Sequence, residues 1–116
     1  IVAHAHFYHA MQKDQIIEQG TLDTSFYVLM SGKADVFIDG VEGSVAEISP
    51  GEFFGELSFL LNRPRSSTVK ATKESVLIRL DRQLLGKLNA DIREKIKDQI
   101  IVKLANLLEF KNKKAR

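Results

Sequence analysis

The sequence predicts an α+β domain. An antiparallel, jelly-roll-like β-roll of about eight short strands is expected first, with helices packed at one end of it. Three observations carry this. From Phe7 to Ile48 the apolar and aromatic runs are short and are punctuated by turn signals at Gly20, Ser31-Gly32 and Asp39-Gly40. No helical crossover interrupts them, so the strands close most easily on themselves as a roll or barrel-like sandwich. Near residue 91 the hydrophobic period then changes to that of a helix, and strands first with helices last indicates α+β architecture.

The elements follow in order. Asp39-Gly40 lies between Val36-Phe37-Ile38 and Val41, which predicts a two-residue hairpin there. Pro50-Gly51 predicts another turn. Leu57 to Leu61 reads as one short helical turn. Thr68 to Ala71 and Ser75 to Asp81 alternate as strands do, and Arg82 to Leu88 reads as a short helix. Asp91, with Glu94 three residues on, predicts an N-cap close to a capping box. Ile92, Ile96, Ile100, Leu104 and Leu108 then recur at every fourth position, which predicts an amphipathic helix from Asp91 to about Glu109. Lys111 to Arg116 is a polar, basic tail. The whole of residues 1–116 reads as one domain, with the roll over about 5–81 and the terminal helices over about 82–110.

Composition narrows the function. Hydrophobic residues make up 44% of the 116-residue chain, which is enough for a core. The formal net charge is +2, too small to argue for a nucleic-acid or membrane surface. The chain has no cysteine, so disulfides and a thiol nucleophile are excluded; a cytoplasmic location is expected. No apolar run approaches the roughly 18 residues of a membrane-spanning helix.

The most informative stretch runs from Phe53 to Val69 and has the layout of an anion pocket. Gly55 allows a close backbone approach. A helix starting at Leu57 presents unpaired N–H groups, which attract a phosphate. Arg65 follows nine positions after Glu56 and can fork onto phosphate oxygens. Glu56, acceptor-only when ionised, suits a sugar hydroxyl. The pair matches a ligand with a hydroxyl beside an anionic phosphate.

That stretch resembles the phosphate-binding cassette of the cyclic nucleotide-binding domain family. The resemblance rests on Phe54-Gly55-Glu56-Leu57-Ser58 and Pro64-Arg65-Ser66-Ser67-Thr68-Val69, and upstream on Gln19-Gly20, Phe26-Tyr27 and Ser31-Gly32. It implies a regulatory sensor, not an enzyme, that binds a cyclic nucleotide, cAMP in preference to cGMP, and transmits binding through movement of the C-terminal helix. Arg65 is expected to neutralise the cyclic phosphate, with the backbone N–H groups of Leu57 and Ser58 and the Ser66 hydroxyl beside it. Glu56 and the Gly55 backbone are expected to hold the ribose 2′-OH. Ser67 departs from the alanine common in the family and adds a second hydroxyl. The base is expected near Val69 and an apolar residue of the terminal helix. No cofactor is expected. Arg65 is expected to be the one buried cation, set against the phosphate and without a core role, while Arg63 is expected to be exposed.

Other features are weighed against this. His4, His6 and His9 include a His-x-His pair that resembles a cupin metal motif, but no Glu follows until Glu18 and no later His exists. A metal-dependent cupin-like enzyme is therefore the alternative, together with a same-fold interaction module without ligand. The terminal helix covers the core, acts as a lid, or pairs in a homodimer. Lys111, Lys113, Lys114 and Arg116 read as a solvated end rather than a nucleic-acid contact. There is no G-x-S-x-G, Walker A or G-x-G-x-x-G pattern. The effector that such a sensor would control is not visible.

Overall fold

Among the described residues eight strands form two four-stranded antiparallel sheets, each carrying an apolar face that must be covered. The computed structural model describes residues 6–115, with side chains through Asn106 apart from Leu104. The strands are β1 (His6–Ala10), β2 (Gln15–Ile17), β3 (Phe26–Ser31), β4 (Ala34–Phe37), β5 (Ala46–Ile48), β6 (Phe53–Phe54), β7 (Thr68–Ala71) and β8 (Ser75–Leu80). The helices are α1 (Glu56–Leu61), α2 (Arg82–Lys87) and α3 (Ala90–Ala115). One sheet has the order β1-β8-β3-β6, the other β2-β7-β4-β5. The predicted β-roll with helices at its end is the fold observed.

The period of two explains why there are two cores. Tyr27 and Leu29 on β3 and Leu77 on β8 point between the sheets, where they meet Ile17, Ala34, Ile48, Phe54 and Val69. Their strand neighbours Phe26, Ile78 and Leu80 point the other way and meet Phe59 of α1, Leu84 and Leu85 of α2, and Ile100 of α3. Strands β3 and β8 are apolar on both faces because both faces are covered.

Several local expectations change. The Asp39-Gly40 turn forms, with the Val41 N–H donating to Ile38 O at 3.0 Å, but the chain does not re-enter the sheet at Val41. The partner strand begins at Ala46, opposite Val36. Register is set by Ile48 and Ala34, which face each other and are both buried, so the connection lengthens until Ile48 reaches the core. Asp81 is not a strand residue: its side chain accepts from the Leu84 N–H and caps α2. The cap of α3 is Asn89 rather than Asp91, since Asn89 Oδ1 accepts from the Ile92 N–H at 3.0 Å. Helix α3 also runs on past Glu109 to Ala115. His4 and Arg116 lie outside the described residues, as do the side chains of Leu104, Leu107, Leu108, Lys111, Lys113 and Lys114.

Gly32 shows how tightly the β3–β4 turn is built. Its φ is +99°, and a Cβ there would lie 2.1 Å from Ser75 Oγ and 2.6 Å from Glu74 O. Gly32→Ala should therefore cost about 2–4 kcal/mol of stability. Gly86→Ala, in α2 with open space around it, should stabilise by up to about 1 kcal/mol. Urea unfolding of both variants checks this; a neutral Gly32→Ala would show that the turn can relax.

Candidate functional site

A cleft of about 280 Å³ opens between α1, the inner sheet residues and α3. Gly55, Glu56, Leu57, Ser58, Arg65, Ser66, Ser67 and Val69 all line it, joined by Lys103 from α3. The eight residues singled out in the sequence thus stand around one space.

Helix α1 begins at Glu56, one residue earlier than expected, and Gly55 caps it in the left-handed conformation at φ +83°. No side chain caps this end, so the first-turn N–H groups, those of Leu57 and Ser58 included, have no intrahelical acceptor. Asn62, also left-handed, closes the other end by donating its N–H to Ser58 O. The Phe59 ring packs edge-on against Phe26 at 4.8 Å, and the Arg82 guanidinium lies over the Phe59 ring at 4.6 Å from its centre. Arg82 also donates to Phe59 O. Helix α1 is thereby tied both to the sheet and to α2.

Arg65 is buried, as expected, and is held there by protein groups. Only 4% of the residue is exposed. Its Nη1 donates to Gly55 O at 3.0 Å and its Nη2 to Ser25 O at 2.6 Å, with Asp23 Oδ2 at 3.5 Å. The loop between β2 and β3 grips its backbone as well: Arg65 N donates to Thr21 O, and Gly20 N to Arg65 O. One N–H of each terminal nitrogen is thus taken by a main-chain carbonyl, which ties the guanidinium to the fold. Its Nε is buried with no partner, the one such side-chain atom among the described residues. A buried unpaired donor costs about 1–3 kcal/mol, so this nitrogen is the one that calls for an acceptor. Arg65 does have a structural role, contrary to expectation, because two buried carbonyls depend on it. Gly55 must stay glycine for the same contact, since a Cβ there would sit 2.8 Å from Arg65 Nη1.

Asp23 extends this cluster. It accepts the Ser25 N–H at 3.0 Å and lies 3.7 Å from Arg79, which in turn lies 3.6 Å from Asp81. Partial burial pushes the Asp23 carboxyl up. Hydrogen bonds from Ser25 and the guanidinium groups of Arg65 and Arg79 outweigh that, and its pKa lies below the ordinary carboxylate value. A lowered pKa stabilises the fold above the unfolded value, and that contribution is lost as pH falls through the folded one.

Glu56 is 5% exposed and pairs with Lys103 Nζ at 2.7 Å. The Val69 side chain is buried beneath the cleft, Ser67 is half-buried and Ser66 exposed. Arg63 is exposed, as expected. Sequence reasoning missed Asp23, Ser25 and Lys103. Of these only Lys103 had a signal, because it lies three residues after Ile100 and seven after Ile96 and so shares their helix face. His9 pairs with Glu74 at 2.8 Å, and among the described residues no three His, Asp or Glu side chains stand together as metal ligands. No described helix is long and apolar enough to cross a membrane.

Comparison with known proteins gives the same picture. The family model for the cyclic nucleotide-binding domain matches residues 9–91. The cAMP-dependent protein kinase regulatory subunit of Emericella nidulans is 39% identical over 77 residues, covering 63% of this chain and 19% of that protein. The chain thus spans under a fifth of this relative's length. The Thermus thermophilus catabolite activator protein superposes with a TM-score of 0.72 at 26% identity, over 98% of this chain and 53% of the other. A structure from a cyclic-GMP-dependent signalling pathway of bacterial phytopathogenesis superposes with a TM-score of 0.78 at 24% identity, over 90% of this chain and 87% of the other, a likeness of fold. With its β-roll, its α1 cleft and a family match across most of its length, the chain belongs to the cyclic nucleotide-binding domain family.

Proposed function

We propose that this domain is the sensor of a regulatory protein, that it binds cAMP in preference to cGMP, and that it passes binding on through movement of α3. The observation that carries the reading is the buried Arg65 with its unpartnered Nε, standing in one cleft with the carboxylate of Glu56. One cation and one acceptor suit a ligand with a singly charged phosphate and a neighbouring hydroxyl. In this reading Arg65 Nε and the first-turn N–H groups of Leu57 and Ser58 meet the phosphate, while Ser66 adds a hydroxyl from the rim. Glu56 and the Gly55 backbone take the ribose 2′-OH, and the base lies over Val69.

The preference for cAMP is supported by the name of the fungal relative, a cAMP-dependent kinase subunit. The hydroxyls of Ser66 and Ser67 at the same rim are what a guanine would use instead. Helix α3 is the natural transmitter because Ile100 seats it on the roll while Lys103 reaches the cleft. Its outward Ile101 and Val102, 62% and 52% exposed, support a second copy or an effector pairing along it. A ligand shifts the position of α3 only if it binds one position better than another.

Thermal-shift measurements with cAMP, cGMP and linear AMP test the ligand class. Cyclic nucleotides should raise the melting temperature, because a native-state ligand stabilises by mass action. Linear AMP, with its extra charge, should do far less. Equal stabilisation by AMP and cAMP would sink the reading, and cGMP binding about tenfold tighter, about 1.4 kcal/mol, would reverse the base preference.

Variants of the cluster should separate ligand from fold. Arg65→Ala should cost about 2–4 kcal/mol of cAMP affinity and also about 1–3 kcal/mol of ligand-free stability, as Gly55 O and Ser25 O lose their donors. Arg65→Lys should recover only part of each, since a point charge cannot serve both carbonyls and a phosphate. Arg63→Ala should change either by under about 0.5 kcal/mol. Calorimetric titration and urea melts check all three. A crippling Arg63→Ala beside a mild Arg65→Ala would show that the phosphate site is wrongly placed.

A further inference from the structure

Lys103 does more at the cleft than line it. From α3 its Nζ forms an ion pair with Glu56 Oε1 at 2.7 Å, donates a hydrogen bond to Phe53 O at 2.8 Å, and sits 4.8 Å over the Phe53 ring. The Glu56 side chain is 7% exposed and that of Lys103 36%. Among the described residues Glu56 has no other cation within ion-pair distance. A carboxylate that far from water is costly unless it is both paired and hydrogen-bonded. An exposed lysine pair would define little, because its side chain wanders. Here the carbonyl and ring of Phe53 fix the ammonium from two further directions, so the ammonium in turn fixes the carboxylate. The ion pair engages Oε1, so Oε2 is the carboxylate oxygen that Lys103 leaves to a ligand.

We propose that Lys103 is a positioning residue for the sugar of the ligand: it holds Glu56 through Oε1 so that Oε2 accepts the ribose 2′-hydroxyl. The inference rests on the cyclic-nucleotide reading above and adds to it a residue outside the α1 motif. Since Lys103 rides on α3, the seating of the helix and the binding of the hydroxyl favour each other. Coupling of this kind is reciprocal, so a seated α3 also raises the affinity for a ligand carrying that hydroxyl. Discrimination between a ribose and a deoxyribose then depends on a residue some fifty positions away from Glu56 in the chain.

The test is calorimetric titration of cAMP and 2′-deoxy-cAMP into the whole chain and its variants. Lys103→Met should weaken cAMP about tenfold, about 1.4 kcal/mol, and 2′-deoxy-cAMP by less than about threefold. Lys103→Arg, which keeps the charge and donors, should restore most of the preference for the ribose. In a Glu56→Gln background, where no carboxylate can be stranded, Lys103→Met should cost nothing further, and this arm decides the matter if the single variant is poorly folded. Equal losses for both nucleotides, no loss at all, or full additivity with Glu56→Gln would each overturn the role of Lys103 while leaving the cyclic-nucleotide site standing. Failure of the unaltered chain to bind either nucleotide would instead remove the site reading, and this inference with it.

Discussion

The burial of the Arg65 guanidinium is the constraint around which this end of the roll is arranged. A cation so enclosed must be surrounded by acceptors, and here three of them come from two separate parts of the chain: Gly55 O, and Ser25 O with the Asp23 carboxylate. Gly55 can supply its carbonyl only because it lacks a side chain where the guanidinium passes. The loop before β3 supplies the other two and clamps the Arg65 backbone with two main-chain hydrogen bonds. The same residue therefore closes the fold and leaves its buried Nε facing no protein partner. Structure and recognition draw on a single side chain, which is why its loss should register in both stability and affinity.

The second organising feature is that the sheet containing β3 and β8 is covered on both faces. One face meets the other sheet, and the opposite face meets α1, α2 and α3. The terminal helices are thus part of a hydrophobic core rather than appendages. Ile100 is 4% exposed within that core, while Lys103, less than one turn further on, reaches the cleft. A change at the cleft is one helical turn from a core contact. Arg82 ties α1 to the start of α2 from the other side, through the ring and carbonyl of Phe59. Rigid elements in direct contact, rather than a long relay, connect the cleft to α3.

The electrostatics are local. Asp23 lies between Arg65 and Arg79, and Arg79 reaches on to Asp81 at the cap of α2. Each of these distances exceeds 3.4 Å, and Asp23 and Arg79 are substantially exposed, so the chain of charges is a modest stabiliser whose strength falls with salt. The shorter contacts, those of Arg65 with Ser25 O and of Lys103 with Glu56, are the ones sheltered from water.

The sequence by itself indicated the strands and the α1 motif with Gly55, Glu56 and Arg65, because these depend on local spacing: period two, turn glycines, and a Glu and an Arg nine positions apart across one short helix; Ser66, Ser67 and Val69 came from the family resemblance that this spacing revealed. It also placed the terminal helix by its four-residue repeat. Its errors were those of register and of partners. The Asp39-Gly40 turn was legible but not the return of the chain at Ala46, since Ile48 had first to find the core. The caps at Asp81 and Asn89 depended on where neighbouring elements stopped. Only the tertiary structure decided that Arg65 is buried against Ser25 and Asp23, about forty residues away in the chain, and that Lys103 comes from α3 to hold Glu56. No local pattern encodes such pairs, because the groups meet only once the two sheets have closed and α3 has docked on them.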